Sequence, residues 1–328
     1  MIVVRGLEHL PPSWLRPVVT IGNFDGVHIG HQSVLRTLVA RSERIGGIPV
    51  VLTFDPHPLQ VLAPDNAPRQ IQTLRQKLAA LAELGAGGVV VLPFTRDLAH
   101  MSARDFVTGV LRDRLHVREV HVGASFAFGY RREGSFNLLK EMGDVMGFHV
   151  EKVHQVQFRG NRVSSTMVRQ ALITGQVSLA RRLLGRPFSL EGEVVHGMGI
   201  GAGIRVPTAN LSASNELRPR HGVYVTVFRV NGKSYESVTN IGTRPTVTRQ
   251  MTGPVTIESH ILDFDGDLYG VAAELDFLLR VREERRFASP DALASRIQRD
   301  ITVARRYFGW VRRMKPGMLR EGVGIAPA

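Results

Sequence analysis

The 328-residue sequence contains no cysteine. That absence removes disulfides, thiolate nucleophiles and thiolate-bound zinc, and it fits a reducing compartment, the cytoplasm. No uninterrupted apolar run approaches the ~18 residues that mark a membrane-spanning helix. Met1-Ile2-Val3-Val4-Arg5 is not followed by a long apolar stretch and a small-residue cleavage site. Neither a membrane span nor a secretory signal is therefore expected. Lysine is scarce, with five in the chain, and Asp+Glu number 29 against 42 Lys+Arg, giving a formal net charge of +13. The excess is uneven: Arg280 to Arg320 holds 12 basic and 4 acidic side chains. No aromatic-interleaved basic motif accompanies it. The charge is read as a solvated, arginine-rich surface that draws in small anions, and nucleic-acid binding is not expected.

What is present is a globular composition, 43% hydrophobic and 22% charged, in a length that allows one large domain or two ordinary ones. The first half alternates. Extended runs at Val18–Ile21, Ile48–Phe54, Gly88–Leu92, Glu119–Val122 and Val150–Val156 are separated by helical patterns at His28–Ile45, Gln70–Leu84, Ala103–Leu115 and Phe136–Met146. Strands spaced by helices of that length predict a parallel sheet covered on both faces. Around Gly185-Arg186-Pro187 the pattern changes. Leu190–Val195, Val223–Val230, Tyr235–Ile241, Val255–Leu262 and Val271–Leu279 are β-like and separated by turn clusters, which predicts an antiparallel barrel or sandwich. Ser289-Pro290 is a start signal for a final helix reaching about Arg306, with Leu293, Ile297, Ile301 and Ala304 on one face. The expected division is 1–185, 186–315 and a frayed tail, 316–328.

Two constellations carry chemistry. In Thr20-Ile21-Gly22-Asn23-Phe24-Asp25-Gly26-Val27-His28-Ile29-Gly30-His31 a strand opens into a glycine-rich loop and leaves as a helix. In an open parallel sheet that edge is where ligands sit. A helix start offers N–H groups and a positive dipole end to phosphate. His28 and His31, three apart, share one helix face, and Gly30 leaves room for a close approach. The alternatives are plain structural histidines or metal ligands, the latter lacking an obvious third partner. The second constellation is Gly192 to Gly203, a strand opening into a glycine-rich loop, followed by Val206-Pro207-Thr208-Ala209-Asn210-Leu211. Glycines of this kind wrap backbone amides around phosphate, or simply form a hairpin loop.

The first string resembles the H-x-G-H signature of the nucleotidylyltransferase superfamily, and its longer form resembles the prokaryotic FAD synthetases. Thr53-Phe54-Asp55-Pro56-His57-Pro58 and Val163-Ser164-Ser165-Thr166-Met167-Val168-Arg169 resemble further motifs of that family. Pro207-Thr208-Ala209-Asn210 resembles the P-T-A-N motif of riboflavin kinases. So do Gly222-Val223-Tyr224, Asn240-Ile241-Gly242-Thr243-Arg244-Pro245-Thr246, Ile257-Glu258-Ser259-His260 and Leu268-Tyr269-Gly270 in their own places. The likeness covers roughly residues 15 to 310.

The resemblance implies a bifunctional riboflavin kinase/FAD synthetase: a nucleotidylyltransferase-like α/β parallel-sheet domain, then a riboflavin kinase-like antiparallel β-barrel with a C-terminal helix. ATP, riboflavin and FMN are the implied substrates and Mg²⁺ the implied metal. No membrane is involved, and self-association is compatible with the reading. By this likeness His28 and His31 meet the ATP phosphates, and Ser164, Ser165, Thr166 and Arg169 flank the same phosphates. Ser-Ser-Thr is also an ordinary helix cap. Gly22, Asn23, Phe24, Asp25, Gly30, Ser125 and Phe126 line the nucleotide or flavin; Asp25-Gly26 is equally an ordinary turn. In the second domain the likeness puts Gly197, Gly201, Arg205, Pro207 and Asn240 on substrate, Thr208 and Asn210 on the metal, and Glu258 in the role of base. Four places depart from the family's pattern. Ser125 stands where Asp or Asn is usual, Ala202 where Arg is, Arg205 where Gly is and Val206 where an aromatic is. Those departures leave open two rival readings, one activity without the other, or a non-catalytic basic binding protein on the same scaffold.

Overall fold

Val18-Val19-Thr20-Ile21 is β-branched throughout and buried on both faces, as a central parallel strand requires. The computed structural model describes residues 1–123, 126–196, 208–243, 255–285 and 287–314. Six strands form the first sheet: β1 (Ile2–Arg5), β2 (Pro17–Ile21), β3 (Ile48–Asp55), β4 (Gly88–Pro93), β5 (Glu119–Gly123) and β6 (His149–Val153). Their order is β1-β4-β3-β2-β5-β6, with every neighbouring pair parallel. Side chains alternate across it. Val19, Ile21, Val50 and Leu52 join Val107, Leu111 and Leu139 on one face. Val18 and Val51 join Leu35, Leu38 and Leu81 on the other. Each fully buried Leu contributes about 1.5–3 kcal/mol.

The strand order reverses direction between β2 and β5. The loop leaving β2, with its two histidines, therefore opens at the switch point where open α/β sheets bind ligands. The helix after β2 runs from Ile29 to Ile45 and stops at Gly46, which takes a left-handed φ of 62°. The helix expected from Gln70 starts instead at Leu74. Thr73 caps it: its side chain accepts from Gln76 N while Gln76 Oε1 accepts from Thr73 N. Ala103–Leu115 is helical as expected, but after a short turn (Ala103–Asp105) it widens into a π-type coil over Phe106–Arg114. Edge strand β1 and the two-residue pair β7 (Gln157–Phe158) and β8 (Asn161–Arg162) carried no clear sequence signal.

By contacts the chain divides into Met1–Ser165 and Thr166 onward. The pattern change at 185–187 marks where helix gives way to strand. The helix Val177–Leu184 ahead of it sits with the strands that follow: Ser178 Oγ donates to the Leu278 carbonyl at 3.2 Å. Likewise Arg220 N donates to the Leu172 carbonyl at 3.0 Å.

The second unit is a closed antiparallel barrel. Its strands are β9 (Phe188–Val195), β10 (Ala209–Ala213), β11 (Gly222–Val230), β12 (Lys233–Thr243), β13 (Val255–Ile261) and β14 (Ala272–Arg282), in the order β10-β13-β12-β11-β14-β9. β10 reads Ala-Asn-Leu-Ser-Ala, a poor strand former that its neighbours β9 and β13 hold in place. Tyr224, Phe228, Phe277 and Leu190 fill the interior. With them runs a buried chain of hydroxyls, Ser237–Thr226–Thr239–Ser259, at 2.6–2.8 Å. The outer face of β11, β12 and β14 receives the C-terminal helix, Pro290–Met314, through Ile301, Ala304 and Phe308. Ser289 caps that helix by accepting from Ala292 N. It outruns the expected end at Arg306 because Phe308 and Val311 continue the buried face. Many of the arginines counted in the sequence are taken up here. Arg282 and Arg296 pair with buried Asp300 at 2.8 and 3.2 Å, Arg305 with Asp263 at 2.7 Å, and Arg312 with Glu236.

Candidate active sites

The loop from β2 is strained. Phe24, Gly26 and Val27 have φ of 49°, 82° and 40°. A β-branched valine at positive φ is a marked outlier of the kind that surrounding structure must enforce. The enforcement is visible. Asp25, buried at 2% exposure, accepts from Ile71 N at 3.0 and 3.2 Å. Ser165 Oγ donates to the Asp25 carbonyl at 2.8 Å, and Thr53 Oγ1 to the Asn23 carbonyl at 3.2 Å. Asn23 in turn lies 3.1 Å from His57 Nε2, bringing the motif after β3 against the loop after β2.

This loop delivers His28 as the helix cap. Its Nδ1 accepts from His31 N at 3.3 Å, so the neutral ring carries its proton on Nε2. The two imidazoles stack, with centroids 3.7 Å apart and planes 16° from parallel. Phe24, buried, tilts against His31 at 5.0 Å. The bareness of Gly30 serves the His28 ring, since a Cβ there would lie 3.1 Å from its Cε1 and Nδ1. His31 is half-buried as a residue, and its Nδ1 is fully buried and finds no hydrogen-bond partner among the described residues. Burial, then His28, Lys77 and Arg162, hold its pKa well below the ordinary histidine value. His31 is therefore neutral at pH 7, an N–H donor without a charge of its own.

Phe126 stacks on Phe128 at 5.2 Å beyond the end of β5. Ser125 lies outside the described residues. Gly22, at the end of β2, has its hydrogen against the Phe24 ring. Ser164 and Ser165 close this unit; Thr166 and Arg169 follow on the helix Ser165–Ile173. The residue that sequence reading missed is Lys77. It is buried at 6% exposure on the helix Leu74–Glu83, within electrostatic reach of Asp25 and Asp55. Its position four residues after a threonine cap, in a row with Ala80 and Leu81, was the available signal.

In the barrel the candidate residues are aligned by strand register. Asn210 on β10 pairs with Glu258 on β13, and Glu258 with Asn240 on β12. Directly paired residues share a face. A carboxamide, a carboxylate and a second carboxamide therefore stand in one row, on the face opposite the interior hydroxyls. Thr208 precedes β10 and lines a cavity of about 270 Å³ with Val194, Phe264, Asp265, Leu268 and Tyr269. His196 stacks on Tyr269 at 3.7 Å at the end of β9. Glu284, also missed in the sequence, rests its carboxylate against Gly242, next to Asn240, and lies 3.6 Å from His221. Gly197, Gly201, Ala202, Arg205, Val206 and Pro207 lie outside the described residues.

The FAD synthetase family model matches residues 11–167 and the riboflavin kinase model residues 184–308. A bifunctional riboflavin kinase/FMN adenylyltransferase of Pseudomonas fluorescens is 42% identical over 93% of this chain and 97% of its own. The chain belongs to that bifunctional family. A namesake in Escherichia coli K12 is 41% identical over 94% of this chain and 98% of its own. Among solved structures, one described as a macrolide-efflux protein from Streptococcus pneumoniae superposes with a TM-score of 0.83 at 27% identity, covering 93% of this chain and 99% of that one. No described helix of this chain is long and apolar enough to cross a membrane.

Proposed function

We propose that the chain makes FAD from riboflavin in two ATP-dependent steps, phosphorylation to FMN in the barrel and adenylylation of FMN in the parallel-sheet unit. The observation that carries this is the presence of two separate constellations, each suited to one transfer: stacked imidazoles at a helix cap, and a carboxylate flanked by carboxamides.

In the first transfer the ribityl hydroxyl of riboflavin is a weak nucleophile. Glu258 takes its proton as the oxygen attacks the γ-phosphorus of ATP, and the bond from that phosphorus to the bridging oxygen of ADP breaks. Asn210 and Asn240 on either side orient the carboxylate and the phosphates. The cavity beside Thr208, lined by Phe264 and Tyr269, is suited to the purine. Transfers from ATP imply a divalent metal. Thr208 and Asn210 supply hard oxygens of the kind Mg²⁺ takes alongside phosphate. Among the described residues no cluster of three His, Cys, Asp or Glu competes as a metal cage. When bound, the ion would neutralise charge on the phosphates.

In the second transfer the nucleophile is already an anion, a phosphate oxygen of FMN. It attacks the α-phosphorus of ATP and pyrophosphate departs. No base is required, and catalysis rests on positioning and on stabilising charge. The imidazole N–H groups of His28 and His31, with the helix start behind them, donate to phosphate oxygens. Ser164 and Ser165, in the same unit, complete the grip. A cytoplasmic setting, where ATP is abundant, fits both steps. Incubating the protein with riboflavin, ATP and Mg²⁺ should give FMN and then FAD on chromatography. FMN without FAD would remove the second activity, and conversion of supplied FMN but not riboflavin would remove the first.

A further inference from the structure

Helix Leu74–Glu83 turns Lys77, Ala80 and Leu81 inward, three positions of one apolar face. Ala80 and Leu81 belong to the core cluster beneath the sheet. Lys77 shares their burial but carries an ammonium. Taking such a group out of water is costly unless ion pairs or hydrogen bonds offset it. Among the described residues no hydrogen bond or ion pair within 4.0 Å takes up that ammonium. Its carboxylate neighbours act on it only through space. They are Asp25, whose oxygens already accept from Ile71 N, and Asp55 at the end of β3. Lys77 also acts on His31. Geometry puts Lys77 there too: just ahead of this helix Ile71 N donates to the Asp25 carboxylate and Gln72 Nε2 to the Phe24 carbonyl, which sets the helix start against the loop after β2. This is where the proposed chemistry brings two anions together. A structural counter-charge to Asp25 and Asp55 would gain more by closing to contact.

Resting on the adenylyl-transfer reading above, we propose that Lys77 is a phosphate-binding residue of that site, its ammonium donating to anionic oxygens of the reacting phosphates. The shared chemistry is a phosphate oxygen, and its source is either ATP or FMN.

The test compares Lys77→Met and Lys77→Arg with the wild type in the full chain, with FMN and ATP as substrates. Lys77→Met is expected to lower kcat/KM for FAD formation about 100-fold, the scale of one lost donor to developing charge. It should leave riboflavin phosphorylation unchanged and leave the melting temperature unchanged or higher, because a desolvated charge has gone. Lys77→Arg should recover at least about tenfold of that loss. A rise in KM for ATP assigns the contact to ATP, and a rise in KM for FMN assigns it to FMN. FAD formation by Lys77→Met within about threefold of wild type would overturn the proposal. So would a loss shared equally by both variants and accompanied by a lower melting temperature, the mark of a counter-charge. If instead a variant lacking both His28 and His31 imidazoles still makes FAD at the wild-type rate, the site reading itself fails, whatever Lys77 does.

Discussion

Asn210, Glu258 and Asn240 reach their places by strand register, whereas His28 and His31 reach theirs through a loop with three positive φ angles. In the barrel, hydrogen-bonded neighbours are bound to share a face, so pairing alone puts three functional groups in a row. In the sheet unit the local contacts, the His28 cap and its stacking on His31, exist only if the loop ahead of them is held. The buried Asp25 carboxylate, the Ser165 and Thr53 hydroxyls and the close fit of Gly30 all have to hold the loop at once. A register-built site is tolerant of its surroundings, and a loop-built one inherits the fate of everything packed against it.

The largest expected effect separates the two sites outright. His28→Ala with His31→Ala should cut FAD formation from FMN by about 1,000-fold while riboflavin phosphorylation persists, since two donors to phosphate charge are removed. The reciprocal change, Glu258→Gln, keeps the shape and removes the base. It should slow riboflavin phosphorylation about 100-fold and spare conversion of supplied FMN. Both are read from FMN and FAD on the same chromatogram. Loss of both activities in either variant would break the claim of two independent sites.

A paired glycine experiment sharpens the contrast in mechanism. In Gly30→Ala the new methyl meets the His28 ring at 3.1 Å, and that ring is already stacked on His31. A displacement of a few tenths of an ångström in a positioned donor should cost about tenfold in FAD formation. In Gly242→Ala the main obstacle is the carboxylate end of Glu284, a flexible side chain that swings aside, and the Asn240 amide nitrogen at 3.2 Å has only to give by a few tenths of an ångström. Riboflavin phosphorylation should then stay within about threefold of wild type. Equal losses from the two substitutions would show that the barrel site is as tightly packed as the other.

The same contrast explains what could be read without a structure. The alternation of strand and helix, the switch to β-runs after Gly185 and the Ser289 cap are local signals, and the folded chain carries each of them. β10 was not legible, because Ala-Asn-Leu-Ser-Ala becomes a strand only between β9 and β13. The histidine pair announced itself by spacing and glycines, but its stacked geometry did not, because it sits beside Phe24, which reaches His31 from a backbone at an unusual φ. Lys77 and Glu284 escaped for one reason. Each joins its site from an element remote in sequence, and a lone lysine on a helix or a glutamate after a strand has the ordinary look of a solvated side chain.

The smallest expected effect concerns acid. His31 has a pKa held well below the ordinary value by burial and by the neighbouring His28, Lys77 and Arg162. In the unfolded chain the same imidazole returns to about 6.5. Between those two values the unfolded state binds more protons than the folded one, so stability rises with pH across that window and is lost as pH falls from about 6.5 toward the folded value. On β12 burial pushes the Glu236 carboxyl up, which works the other way, since the folded state there holds its proton more readily than the unfolded one. Hydrogen-exchange protection of the helix Ile29–Ile45 should therefore decline between pH 7 and pH 5.5, more steeply than that of β12 and β13. His31→Asn, which has no proton to gain, should flatten the decline. If protection of the helix proved indifferent to acid, or if the asparagine variant declined as steeply as wild type, the electrostatic asymmetry between the two sites would lie in some group other than His31.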